Sequence, residues 1–231
     1  MTKKYFATHC SLLVFAMIGI SACGSSNSNG VGGQLNPDTS ENSNQTGNDD
    51  GLPDDSTGSV QPFSVRVANY GNLDSSQAAK VDQAVQLLDE VMNSAEFKTR
   101  VENFTYSGTL QFVQNNGLTN AQIYDTLMAA AELYPSATQA NGVADIQVKI
   151  YYPPWYSVTS AIAFTSTTDA YLNIYDSYFS SSSIPALAET LIHEWTHKLG
   201  FEHDYDSTAR RPYSVPYGIG GIVYDLAKRV D

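Results

Sequence analysis

The sequence has no apolar run long enough to cross a bilayer as a helix. Its first apolar run covers residues 12–20, only nine residues, whereas a spanning helix needs about 20. Lys3 and Lys4 precede this run, and the small residues Ser21 and Ala22 follow it. A basic start, a short apolar stretch and small residues after it are typical of a secretory signal peptide, so the chain is predicted to be exported.

Cysteine is scarce, and the position of one of the two cysteines is informative. Cys23 comes directly after the small residues that end the apolar stretch. This arrangement resembles the lipobox of bacterial lipoproteins. The resemblance implies that residues 1–22 are a lipoprotein signal peptide and that Cys23 receives lipid. An ordinary signal peptide cut after Ala22 remains the alternative.

The lipobox resemblance also implies a location. A lipid at Cys23 would attach the protein to the bacterial cell envelope, facing either the periplasm or the exterior. Gly24, rather than Asp, follows the cysteine, which resembles the outer-membrane sorting pattern of Gram-negative lipoproteins. Cys10 would leave with the signal peptide, so the folded part would contain neither a free thiol nor a disulfide. Its stability must then come from its core and from any bound metal.

Basic residues are few, and one long segment has none. Residues 24–59 contain no Lys, Arg or aromatic residue and consist mainly of Ser, Asn, Gly and Asp. Such a composition cannot offset its ordering entropy, so residues 23–60 are predicted to be a disordered tether spanning roughly 30 Å. Residues 61–231 are predicted to form one domain, with 18 Asp and Glu against 10 Lys and Arg. This acidity makes nucleic acid an unsuitable partner.

Helical patterns dominate the first half of this domain. Ser94 has the position of an N-cap, and Thr119 followed by Gln122 indicates a capping box. Pro135 is expected to end the helix that Thr119 opens. Apolar residues at helical spacing mark the buried faces on either side of Ser94 and after Thr119: Val81, Val85, Leu88, Met92, Phe97, Val101, Ile123, Leu127 and Ala131.

Strand patterns are found before and after those helices. Residues 63–67 and 146–150 alternate apolar and polar side chains, as half-buried strands do. Residues 161–164 and 170–174 are two further predicted strands. Residues 180–183 are predicted to be a loop and N-cap ahead of the next helix, with Pro185 in its first turn. This succession predicts an α+β domain with a mixed sheet.

Histidine is also rare, and the histidines are concentrated in one place. Of four in the chain, His9 belongs to the signal peptide, and the other three are His193, His197 and His203. They form the pattern His-Glu-x-x-His-x-x-Gly-x-x-His, which is expected by chance in on the order of one sequence in 10⁵. Residues four apart share a helix face, so His193 and His197 can bind one ion. Gly200 allows a sharp turn that returns His203 as a third ligand.

Three histidines with one open position are typical of a catalytic zinc site. Zinc lowers the pKa of its bound water to about 7. Glu194, adjacent to a ligand, is predicted to be the general base that takes the proton of this water. The alternative, a helix whose histidines only cap or pack, leaves the four residues at these positions to coincidence.

The stretch from His193 to His203 resembles the extended zinc motif of the metzincin metallopeptidases. The resemblance implies an active-site helix below a mixed sheet, a substrate cleft along the edge strand, and a small C-terminal subdomain ending in a helix. An acid directly after the third histidine, here Asp204, commonly anchors that subdomain. The chain departs from the family in one respect: no methionine follows Met128, so the methionine-containing turn beneath the zinc is missing.

The segment at a suitable distance for that turn contains Ser214, Pro216 and Tyr217. In this alignment Pro216 replaces the methionine. Tyr217 is then a candidate for an extra zinc ligand or for stabilising the oxyanion, and Tyr213 is a weaker candidate. Simple packing of Tyr217 stays open as an alternative. Asp204, Asp206 and Asp225 are candidate ligands only if His203 fails to reach the metal.

The expected function is zinc-dependent hydrolysis of peptide bonds by a monomeric metalloendopeptidase, with one catalytic Zn²⁺ and a peptide or protein substrate. One alternative is a catalytically silent, zinc-stabilised surface binding protein. Glu194 argues against it, because a structural site does not need that carboxylate. The other alternative is a zinc amidase that acts on peptidoglycan stem peptides.

Overall fold

A computed structural model describes residues 62–157 and 161–230. All of them belong to the unit that spans Asp55–Asp231. The predicted signal peptide, the lipidation of Cys23 and the tether lie outside the described residues, and they stay predictions. Among the described residues, no helix combines the length and the apolar character that a membrane crossing requires.

Six α-helices, six strands and a short 3₁₀ helix at Arg211–Tyr213 form the regular structure of the described residues. The helices are α1 (Ser75–Met92), α2 (Ala95–Glu102), α3 (Asn120–Ala129), α4 (Asp176–Ser181), α5 (Ile184–Lys198) and α6 (Val215–Val230). The strands are β1 (Ser64–Asn69), β2 (Thr105–Tyr106), β3 (Thr109–Leu110), β4 (Val143–Tyr151), β5 (Ala163–Phe164) and β6 (Leu172–Tyr175).

The main sheet is mixed, as the sequence predicts. Its strand order is β1-β4-β6-β5. The pairs β1–β4 and β4–β6 are parallel, and β5 pairs with β6 antiparallel at the edge. Within β4, Ile146, Val148 and Ile150 are buried, which confirms the alternation read from the sequence. The α+β class is therefore confirmed.

Helix α5 lies at the centre of the helical layer, against α1 and α6. The predicted face of α1 is buried in the same core as Leu187, Leu191 and Trp195 of α5. Trp195 is fully buried, and its Nε1 donates a hydrogen bond of 3.0 Å to Glu132. The same carboxylate accepts from Thr138 and from the backbone N–H of Asp145. Glu132 is thus a satisfied polar group inside the core.

The predicted end of α3 at Pro135 is wrong. The capping box of Thr119 and Gln122 is present, but the helix stops at Ala129 because Ala130 takes a left-handed conformation with φ 47°. Ala131 therefore lies outside the helix. The chain leaves the helical path early because Glu132, two residues on, is drawn into the core by Trp195 and Asp145.

Two smaller boundaries also differ from the sequence prediction. Of the predicted strand at 161–164, only β5 pairs in the sheet. Ser180 and Ser181 belong to α4 rather than to a loop. Ser183 is the N-cap of α5 as predicted, with Pro185 in the first turn. These differences reflect local hydrogen bonding that composition alone does not specify.

Two glycines in α6 provide a matched test of how this helix packs against Phe104 and Phe112. A Cβ on Gly218 would lie 2.7 Å from Cε1 of Phe112, which is stacked on Phe104. A Cβ on Gly221 would meet nothing within 4 Å. We expect Gly221→Ala to raise the free energy of unfolding by up to about 1 kcal/mol through helix propensity. Gly218→Ala should lower it, because overpacking costs about 1–3 kcal/mol.

Urea denaturation of both variants measures this difference. If Gly218→Ala is as stable as Gly221→Ala, the two phenylalanine rings do not pack against α6 as described.

Candidate metal centre

Helix α5 places two histidines on one side and the apolar core on the other. Leu187, Leu191 and Trp195 are fully buried. The rings of His193 and His197 lie one turn apart on the other side, with centroids separated by 5.3 Å. The 3.6-residue period of the helix produces this division.

Gly200 ends α5 in the way that the third histidine requires. Its φ is +87°, and its N–H donates to the carbonyl of His197 while that of Phe201 donates to Thr196. These two bonds form a Schellman motif, in which a left-handed residue reverses the chain. A Cβ on Gly200 would also approach Leu133 Cδ1 to 3.0 Å. Glycine is therefore favoured here by both conformation and space.

The reversal brings the ring of His203 to the two histidines of α5. Its ring centroid lies 4.9 Å from that of His197 and 5.2 Å from that of His193. One ligand atom from each of the three histidines lies within 4.8 Å of the others. The Nε2 atoms of His193 and His203 are 3.3 Å apart. Two nitrogens bound tetrahedrally to one zinc ion at its usual bond length are separated by about 3.3 Å, so the spacing fits.

Two of the histidine rings are also held by backbone carbonyls. The Nδ1 atom of His197 is 2.7 Å from the carbonyl of Phe201, and that of His203 is 3.1 Å from the carbonyl of Asp204. The carbonyl of Pro216 faces His193 and opposes the lowering of its pKa. A carbonyl can only accept, so each ring nitrogen in these bonds is the donor. This leaves the Nε2 atoms of His197 and His203 as the ligand atoms.

The protonation states suit metal binding. Burial, together with His197 and His203, lowers the pKa of His193 to about 3. Burial likewise lowers the pKa values of His197 and His203. The rings are therefore neutral at neutral pH, as ligation requires. The described residues thus contain a histidine cluster able to hold a metal ion.

Glu194 lies beside this cluster and is itself buried, with 6% of its surface exposed. Burial raises its pKa to about 8, and the charge of Lys198 opposes that rise. A divalent cation at the three histidines would favour the ionised carboxylate. Glu194 follows His193 in α5 but projects from a different side of that helix. Its side chain therefore lines the cavity beside the cluster.

A cavity of about 780 Å³ opens over the cluster. One part of its lining is residues 161–167, which include the edge strand β5. The three histidines and Glu194 form another part, and a third comes from Tyr205, Arg211 and Tyr217. An edge strand thus runs beside the candidate metal centre.

Tyr217 lies against the cluster, whereas Tyr213 does not. The ring of Tyr217, in the first turn of α6, is 4.5 Å from that of His193 and 4.9 Å from that of His203. Tyr213 instead packs on Tyr106 with a centroid distance of 5.0 Å, and it does not line the cavity.

The aspartates of the C-terminal region have other contacts. Asp204 accepts hydrogen bonds from Gln114 at 3.0 Å and from Thr208 at 2.6 Å, which ties this segment to the body of the domain. Asp225 faces Arg100 at 3.6 Å. Within the described ranges, the group able to hold a metal consists of the three histidines, with no Asp or Glu among them.

Sequence reasoning assigned no role to two charged residues near the site. Lys198, at the end of α5, donates to the carbonyls of Ser166 and Asp169 and so joins the helix to the loop after β5. Arg211 lines the cavity, with its guanidinium 4.9 Å from the Tyr217 ring. The sequence shows that basic residues are scarce in this domain. That scarcity does not indicate which basic residues approach the histidines.

Comparison of this chain with protein-family models, with curated proteins and with solved structures finds no match in any of the three.

Proposed function

We propose that this protein is a zinc metallopeptidase, a hydrolase that cleaves peptide bonds within a peptide or protein substrate. The observation that carries the proposal is the cluster of three neutral histidines, two of them held by carbonyls, with the buried Glu194 beside them at the cavity. Zinc is the proposed ion because three imidazoles with an open fourth position are its usual catalytic ligand set.

Glu194 is the proposed general base. When bound, zinc supplies an acidic water and polarises the substrate carbonyl. Glu194 accepts the proton of the attacking water and passes it to the leaving amine. Its burial keeps this carboxylate from bulk water, so the proton stays within the site. Tyr217, in contact with two of the histidines, is proposed to stabilise the oxyanion through its hydroxyl.

The proposed class is metzincin-like. In support, a helix carries two histidines, a glycine turn returns the third, and a closing helix follows. An antiparallel edge strand, β5, borders the cavity, where an extended substrate would add as a further strand. The proposed equivalent of the missing methionine is the turn at Pro216, whose carbonyl contacts His193.

Digestion of an unbiased peptide library tests this proposal. We expect the purified chain to bind one zinc ion and to cleave a subset of peptides. A chelator should abolish cleavage, and added zinc should restore it. A parallel digestion with peptidoglycan stem peptides examines the amidase alternative. If the chain holds zinc but cleaves neither set, the silent binding protein is the better description.

A further inference from the structure

The charged residues that line the cavity include one cation. Arg211 is the single Lys or Arg of the described lining, which also contains the acids Glu189, Glu194 and Glu202. Within the described ranges, no carboxylate lies within 4.0 Å of Arg211, since none of the ion pairs includes it. Arg211 is therefore a cation that faces the cavity without a counter-ion.

The contacts of Arg211 fix the side chain and leave part of its donor capacity unused. Its guanidinium lies over the Tyr217 ring at 4.9 Å, and Nη1 donates to the carbonyl of Tyr205 at 3.2 Å. Its Nε is buried and has no hydrogen-bond partner. Nη2 also forms no hydrogen bond within the described ranges, and unlike Nε it has accessible surface, so it is the donor that an acceptor entering the cavity can reach.

The chemistry of such an acceptor follows from the guanidinium. Its N–H groups form a rigid, planar fork that matches the two oxygens of a carboxylate. Stacking on Tyr217 already holds the fork in place, so little side-chain freedom is lost on binding. A carboxylate would also supply the counter-ion that the cavity lacks at this position.

We propose that Arg211 binds a carboxylate of the substrate, so that the enzyme prefers peptides with an acidic group close to the scissile bond. This inference rests on the proposed peptidase function. The guanidinium lies over the Tyr217 ring, and that ring also contacts His193 of the candidate metal centre. An extended peptide advances about 3.3 Å per residue, so the carboxylate belongs to a residue within about three positions of the cleaved bond. It is either an Asp or Glu side chain or the C-terminal carboxylate.

Paired peptide pools test the preference. One pool carries Glu at a fixed central position with random flanks, and the other carries Gln there. Each is made with amidated and with free C-termini. We expect the parent to cleave Glu peptides at least roughly tenfold faster than their Gln partners, the usual strength of a charge-assisted pair. A preference that appears only with free C-termini identifies the C-terminal carboxylate as the group bound.

Arg211→Met should reduce this ratio to near one, whereas Arg210→Met should not change it. Arg210 is the adjacent, exposed arginine, so the control removes the same charge from the same segment. If Arg211→Met slows both pools by the same factor, Arg211 acts on the reaction in general or only supports Tyr217, and the inference is wrong.

Binding gives a readout that does not depend on turnover. Immobilised Glu194→Gln protein is exposed to an equimolar mixture of the pools, and the retained peptides are identified by mass spectrometry. We expect enrichment of carboxylate-bearing peptides, lost on adding Arg211→Met. Cleavage without any carboxylate preference overturns the inference and leaves the peptidase intact. Enrichment without cleavage by the parent overturns the peptidase and leaves the carboxylate site. If neither cleavage nor enrichment is observed, the inference is overturned as well.

Discussion

Glu194→Gln is expected to lower kcat/KM for peptide hydrolysis by roughly 10²-fold or more, the usual loss when a general base is removed. Glutamine retains the shape of the side chain but cannot accept the proton of the attacking water. Zinc content should stay at one ion per chain, because the proposed ligands are His193, His197 and His203. Steady-state kinetics on one cleaved library peptide, together with metal analysis, measures both quantities.

The folded state of this variant can be checked independently. Burial raises the pKa of Glu194 to about 8, so the ionised carboxylate is unfavourable in the metal-free fold. The melting temperature of metal-free Glu194→Gln at pH 8 or above should therefore equal or exceed that of the parent. Glu90→Gln, an exposed change on α1, is the control for the loss of one negative charge. If Glu194→Gln cleaves as fast as the parent, another group is the base.

His203→Ala is expected to weaken zinc binding by at least roughly 100-fold. Loss of groups that only orient a ligand already costs 10- to 100-fold in affinity, and His203 is proposed as a direct ligand. Hydrolysis should fall with zinc occupancy. The fold should persist, because the Schellman turn at Gly200 and the side-chain hydrogen bonds of Asp204 do not involve the His203 ring.

Competition with a chromogenic chelator measures the affinity. Ser207→Ala is the matched control: the residue lies in the same segment, is exposed, and belongs neither to the cavity lining nor to the metal-capable group. Full zinc affinity in His203→Ala would point to a nearby acid, such as Asp204 or Asp206, as the third ligand. That result would overturn the three-histidine site.

Much of the candidate site could be predicted from local sequence. His193, His197, Glu194 and Gly200 lie within eight residues of one another, and helix geometry with a glycine turn relates them directly. The capping residues Ser94, Thr119 and Ser183 were identified correctly because a cap bonds to atoms only a few residues away. Such interactions depend on short spacings that the sequence states explicitly.

The parts that were missed depend on contacts between distant segments. The early end of α3 follows from Glu132 meeting Trp195, which is 63 residues further along the chain. The approach of Arg211 to the cavity depends on how the segment before α6 packs beside α5, and residue order does not encode that distance. The role of Pro216 was also invisible, because its contribution is a backbone carbonyl, which every residue has.

The sequence by itself therefore determined the helix with its histidine pair, the returning third histidine, the neighbouring acid and the α+β class. Only the tertiary structure decided which carbonyls orient the rings, which edge strand borders the cavity and which cation faces it. The physical reason is the sequence separation over which each interaction acts. Helix periodicity and capping act over a few residues, whereas ring orientation and an unpaired guanidinium depend on side chains that come together only when the core packs.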